Sequence, residues 1–123
     1  MSQRLLIVGA GGHAKVVAEA ALLAGFEVVG FLDQAKDMMG RIILDLPVLG
    51  DESLLARQEL RDCLAVVAVG DNAAREAAVA RLSSHGVEFA IVVHPAATVS
   101  ESADLGDGTV VFAGAVVNSS ASI

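Results

Sequence analysis

From Val93 to Ile123 an aliphatic residue returns at every sixth position: Val93, Val99, Leu105, Val111, Val117 and Ile123. Four residues after each of the first five stands a small one, Ala97, Ala103, Thr109, Ala115 and Ala121. This hexapeptide repeat implies a parallel β-helix, a solenoid whose coils each bury a column of aliphatic side chains. Gly106, Gly108 and Gly114 stand at expected corners, and Asp104, Asp107, Asn118 and Ser119 are good turn formers. An irregular β-rich tail is the alternative. The repeat is still running at Ile123, and a solenoid needs about three stacked units for stability. The expectation is therefore that this chain is part of a longer protein.

The remaining residues must fold with few aromatic side chains. The chain is 54% hydrophobic but holds only four phenylalanines and neither Trp nor Tyr. Val, Ala, Leu and Ile must build the core, which suits a parallel sheet buried on both faces. The net charge of −7 argues against nucleic acid and anionic membrane as partners. No apolar stretch reaches the roughly 18 residues of a membrane span; the nearest candidate, Val16 to Phe26, is interrupted by Glu19. The N-terminus runs straight into a predicted strand, so no signal peptide is expected. The lone Cys63 has no intrachain disulfide partner and reads as an inert core thiol. The expected location is the cytoplasm.

Arg4 to Val8 is a short apolar run ending in glycine, which predicts a buried strand. Gly9-Ala10-Gly11-Gly12 is a turn, and apolar positions from His13 to Ala24 fall at helical spacing, closed by Gly25. Glu27 to Leu32 predicts a second strand. Ile42-Ile43-Leu44 and Val48-Leu49 read as short extended pieces, with Pro47 where a sheet edge tolerates it. Asp51 is a candidate N-cap for a short helix from Glu52 to Arg57. Cys63 to Val69 predicts a third buried strand, and Gly70-Asp71-Asn72 a tight turn. Ala73 to Ser84 predicts a helix with Val79 and Leu82 inward and Arg75, Glu76 and Arg81 outward. Glu88 to Val92 predicts a last strand. Alternating strand and helix makes residues 1–92 a Rossmann-like α/β domain, followed by the repeats at 93–123.

Gly9-Ala10-Gly11-Gly12-His13-Ala14 follows a strand and opens a helix. Glycines there let the backbone approach a phosphate, with the helix N-terminus facing the anion. The run fits G-x-G-x-x-A, and Asp33 ends the second strand, where a ribose-binding acid is expected. A glycine-tight turn serving packing alone remains open. His13 lies in the first helical turn, where the dipole disfavours an imidazolium; it is either a neutral ligand contact or an exposed, self-capping side chain. Lys15 is either part of a phosphate site or solvated. A surface role is expected for His85 and a structural one for His94. Turns after strand C-termini converge on one crevice in an open parallel sheet. Gly9, Gly11, Gly12, His13, Asp33, Gly70 and Asn72 are thus the candidate binding residues, although Asn72 also serves as a plain helix N-cap.

Val8 to Val17, Phe31-Leu32-Asp33, Val69-Gly70-Asp71-Asn72 and His94-Pro95 leading into hexapeptides together resemble one family. The chain is similar along its whole length to the sugar O- and N-acyltransferases of the sialic-acid O-acetyltransferase type, which include bacillosamine N-acetyltransferases. The resemblance implies an acceptor domain that holds a nucleotide-activated sugar, often a UDP-amino sugar. It also implies a left-handed β-helix with three hexapeptides per coil, which forms homotrimers and binds acetyl-CoA between coils. The Gly11-Gly12-His13 turn would approach the nucleotide phosphates. Asp33 would hold the uridine or ribose portion, with Gly70 to Asn72 bordering the same site. Family members often carry a second acid where this chain has Gln34. The family's general base is a histidine on later coils that takes a proton from the attacking amine or hydroxyl. No residue here matches it, so no catalytic residue, and no metal, is assigned. The 123 residues alone are expected to be inactive. The rival readings are an NAD-binding oxidoreductase or redox-sensing module, which leaves the hexapeptides unexplained, and a non-catalytic module that binds a ligand and trimerises.

Overall fold

A computed structural model describes residues 3–119, 121 and 122. The apolar run Arg4–Val8 forms β1, an interior strand of a five-stranded sheet. Helix α1 spans Gly12–Leu23 and β2 spans Glu27–Leu32. The α1 C-terminus closes on Gly25, whose φ of +95° is the left-handed conformation that glycine adopts without a Cβ penalty. There the Phe26 N–H reaches back to the Ala21 carbonyl at 3.1 Å. After a short 3-10 turn at Lys36–Met38 come β3, Ile42–Ile43, and β4, Leu46–Gly50. Two further 3-10 turns, Glu52–Ala56 and Gln58–Leu60, lead to β5, Leu64–Val67, and then to α2, Asn72–Ser84.

The strand order is β3-β4-β2-β1-β5, parallel except for the β3–β4 hairpin. Side chains alternate across β1. Leu5 and Ile7 face α1 with Val17, Ala21, Phe31 and Val66, whereas Val8 packs with Ala78 and Leu82 of α2. A third cluster, Leu6, Leu32 and Cys63, is covered by leucines of the 3-10 turns. Helices on both faces explain why β1 reads as an unbroken apolar run.

Three expectations need correction here. Leu44 is not extended: it and Asp45, with φ of 50° and 63°, form a two-residue hairpin turn. Pro47 is not on an edge strand. It sits in β4, opposite Ile42, and pairing of β4 to β2 begins one residue later at Val48, so its missing N–H costs no ladder bond to β2. Glu88 to Val92 does not form a strand of the sheet. Only Phe89 bridges Ala65, through the Ala65 N–H to the Glu88 carbonyl and the Ala90 N–H to the Ala65 carbonyl, both 2.9 Å. The chain then departs to pair elsewhere.

It departs into four two-residue strands: β6, Val92–Val93; β7, Thr98–Val99; β8, Val110–Val111; and β9, Val116–Val117. Val92 pairs in parallel with Val110, Thr98 with Val116, and Asp104 bridges Ser122, a constant offset of eighteen residues. Val111 and Val117 are buried, while Val93, Val99 and Leu105 are half-buried. Thr109 is buried with its hydroxyl donating to the Gly106 carbonyl at 2.6 Å. Ile123, the last position of the period, lies outside the described residues. Fully buried Val92 belongs to the α1-side core, against which Val110 and Phe112 also pack.

Candidate functional site

The chain leaves β1 through Gly9, and this glycine is required. Its φ is +109°, and a Cβ there would meet the Ala68 carbonyl oxygen at 2.9 Å. Its N–H donates to the Leu32 carbonyl at 2.7 Å, so the turn is drawn toward the end of β2. Asp33 completes the tie. One carboxylate oxygen accepts from the Ala10 N–H and the other from the Ala35 N–H, each at 2.8 Å. The acid predicted to face a ligand is thus also the clamp that shapes the glycine turn.

Gly11 is the N-cap of α1, with extended backbone and no side-chain cap, and the first turn carries no acid. Nothing lies within 4 Å of where a Cβ would stand on Gly11 or Gly12. The helix therefore begins without a side-chain cap and with open space beside Gly11 and Gly12, an arrangement suited to an anion. His13 is exposed, and its ring meets Phe112 edge-on with centroids 5.6 Å apart. This places it between the glycine turn and the residue that follows β8.

The sheet changes direction between β1 and β5, since the connection after β1 leads to one face and that after β5 to the other. A cleft of about 260 Å³ opens at this switch point. Val8, Gly9, Leu32 and Asp33 line it from β1 and β2, and Val69 from the end of β5. Ala74, Ala78 and Arg81 of α2 and Glu52 of the 3-10 turn form the opposite wall, with Gln34 beside Asp33. A second cleft of about 270 Å³ shares Asp33 and Gln34 and continues to Lys36, Met39, Gly50 and Asp51. Asp51 caps its 3-10 turn, and the Ser53 hydroxyl and N–H hold its carboxyl below the usual carboxylate range.

Of the predicted residues, Gly9 and Asp33 share the cleft, with Gly11 and Gly12 on the adjoining turn. Gly70 and Asn72 are exposed beside it without lining it. Asp71, not Asn72, caps α2, accepting from the Ala74 N–H at 2.9 Å. The carboxylate reaches the N3 position of the helix from one residue earlier than the expected cap.

Arg81 and Glu52 were missed as site residues. Arg81 was expected merely to face outward, yet it pairs with Glu52 on the cleft wall. The available signal was the spacing of Ala74, Ala78 and Arg81, which puts two small residues and one long cation on a single helix face.

The other titratable candidates have structural places. The His94 Nδ1 accepts from the Ala96 N–H at 2.9 Å, and exposed His85 caps α2. Cys63 is buried, and burial raises its thiol above the ordinary value. Among the described residues no group of three or more His, Cys, Asp or Glu side chains could hold a metal, and no helix is long and apolar enough to cross a membrane.

Residues 4–82 match the family described as the PglD N-terminal domain. UDP-N-acetylbacillosamine N-acetyltransferase of Bacillus subtilis (strain 168) is 33% identical over 114 residues, covering 90% of this chain and 52% of that protein. The crystal structure of PerB from Caulobacter crescentus, in complex with CoA and GDP-perosamine, superposes with a TM-score of 0.85 at 35% identity, covering 97% of this chain and 56% of that one. The acetyltransferase domain of PglB from Neisseria gonorrhoeae FA1090, in complex with acetyl coenzyme A, gives 0.78 at 31% identity, covering 100% of this chain and 65% of that one. The chain thus spans about half the length of the curated relative it matches.

Proposed function

The chain belongs to the PglD N-terminal domain family, and from that premise we propose that it is the acceptor-binding part of a sugar acetyltransferase. The donor is acetyl-CoA. The acceptor is an amino or hydroxyl group on a nucleotide-activated sugar, carried by UDP or GDP as in the names of the relatives above. Residues 1–92 hold the acceptor, and 93–123 begin a left-handed β-helix through which the complete protein forms a homotrimer. The constant eighteen-residue offset, three hexapeptides per rung, supports the coil period of that β-helix.

The observation that carries the proposal is the switch-point cleft itself. The open N-terminus of α1 offers N–H groups to the diphosphate, and the Asp33 carboxylate, already fixed by Ala10 and Ala35, presents its remaining lone pairs to the ribose. His13, against Phe112, lies where the sugar would pass from the nucleotide site toward the coils. In the transfer, the acceptor nitrogen or oxygen attacks the thioester carbonyl, CoA leaves as its thiolate, and a general base takes the acceptor proton. His94 uses its Nδ1 within its own turn, and His85 lies at the far end of α2, so neither is assigned as that base. The 123 residues are expected to bind acceptor without transferring acetyl.

Titration calorimetry with UDP- and GDP-amino sugars, NAD and acetyl-CoA tests the proposal. A sugar nucleotide should bind, and His13→Ala should weaken it. Tight NAD binding without sugar-nucleotide binding would overturn it in favour of a redox module.

A further inference from the structure

The acceptor site described above leaves one charged group of the cleft without a role. The Arg81 Nε and Nη2 donate to Glu52 Oε2 and Oε1 at 3.3 and 3.0 Å. The Glu52 side chain is only 12% exposed, against 46% for Arg81. Partly exposed ion pairs contribute little to stability, so folding alone does not account for an arginine paired on the wall of a ligand cleft. Ala74 and Ala78, on the same helix face, keep the space beside the pair open.

The pair has a definite hydrogen-bonding polarity. A guanidinium carries five N–H donors and no acceptor; two are committed to Glu52 and three remain. Each Glu52 oxygen keeps a lone pair and has nothing to donate. The cleft wall therefore presents a donor beside an acceptor. If the diphosphate takes the α1 N-terminus and the ribose takes Asp33, the base is what remains to meet the opposite wall.

We propose that the Arg81–Glu52 pair reads the base of the bound nucleotide and selects one with a carbonyl oxygen beside a ring N–H, uracil or guanine. The carbonyl accepts from Arg81 and the ring N–H donates to Glu52. With the ribose held at Asp33, adenine or cytosine presents an amino group to Arg81, which has no acceptor for it, and a bare ring nitrogen to the Glu52 carboxylate. Leaving such groups unpaired is what rejects a near-isosteric ligand. This inference rests on the nucleotide-sugar reading.

The test is calorimetry of the 123-residue chain with UDP, GDP, ADP, CDP and inorganic pyrophosphate, with circular dichroism confirming that variants fold. UDP or GDP should bind at least roughly tenfold more tightly than ADP and CDP. Arg81→Ala and Glu52→Gln should each bring the preferred nucleotide down toward ADP while leaving pyrophosphate unchanged. A loss of equal factor for every nucleotide and for pyrophosphate would make Arg81 a phosphate contact and overturn the proposal. Unaltered selectivity in both variants would overturn it too, leaving the acceptor site intact. Absence of any nucleotide binding by the unaltered chain would overturn both.

Discussion

The Asp33 carboxylate accepts a hydrogen bond from the Ala10 N–H at 2.8 Å, joining residues from the ends of two adjacent strands. Ala10 is buried, so its N–H has no ready replacement partner in water. Asp33→Ala should therefore destabilise the fold by about 1.5–3 kcal/mol, the range for a hydrogen bond to a charged group. Asp33→Asn keeps one acceptor oxygen and should lose roughly half as much on the same basis. Urea denaturation of the two variants distinguishes this clamp from an acid that only touches ligand, for which stability would not change.

The glycines of the turn should separate by role. Gly9→Ala forces a side chain into φ +109° against the Ala68 carbonyl and should cost upward of about 2 kcal/mol. Gly12→Ala meets open space at the first helical residue. It should leave stability unchanged or raise it by up to about 1 kcal/mol, while weakening nucleotide binding by crowding the phosphate approach. Paired melting and binding measurements check both expectations.

Asp71 and Asn72 should separate in the same manner. Asp71→Ala removes the cap of α2 and should cost about 0.5–2 kcal/mol by denaturant titration. Asn72→Ala should leave the unfolding midpoint in place, so any loss of affinity reports ligand contact.

Cys63 should resist alkylation in the folded chain and react once unfolded. Burial favours its neutral thiol, and only a thiolate attacks iodoacetamide efficiently. The sign of the pH effect follows. The unfolded chain releases this proton first, at about 8.5. The Cys63 contribution to stability is therefore intact below that pH and is lost as pH rises through the raised folded value. Cys63→Ala should remove that alkaline component from the pH dependence of the unfolding midpoint.

Several elements were legible because their cause is local. β1, the glycine turn, α1 and β2 follow from an apolar run, a helical period and two glycine punctuations, and their observed bounds differ from the predicted ones by a residue at most. The Leu44–Asp45 turn was not legible, because a hairpin with two left-handed residues usually advertises itself with Asn-Gly. The segment from Glu88 to Val92 has strand-like composition, but its pairing is decided by where the chain must go next. Val92 leaves the five-stranded sheet and pairs with Val110.

The amino-acid sequence by itself determined the βαβ opening, the glycine turn with Asp33 at the next strand end, and the six-residue period, each a pattern of near neighbours. Only the tertiary structure decided that Asp33 spends both oxygens on backbone N–H groups, that His13 meets Phe112, and that Arg81 crosses to Glu52. The Asp33–Ala10, His13–Phe112 and Arg81–Glu52 partners are separated by 23, 99 and 29 residues along the chain, and only the Asp33–Ala35 bond is local. Sequence periodicity reports which face of an element is apolar; it carries no information about which distant polar side chain will lie opposite once two faces have packed.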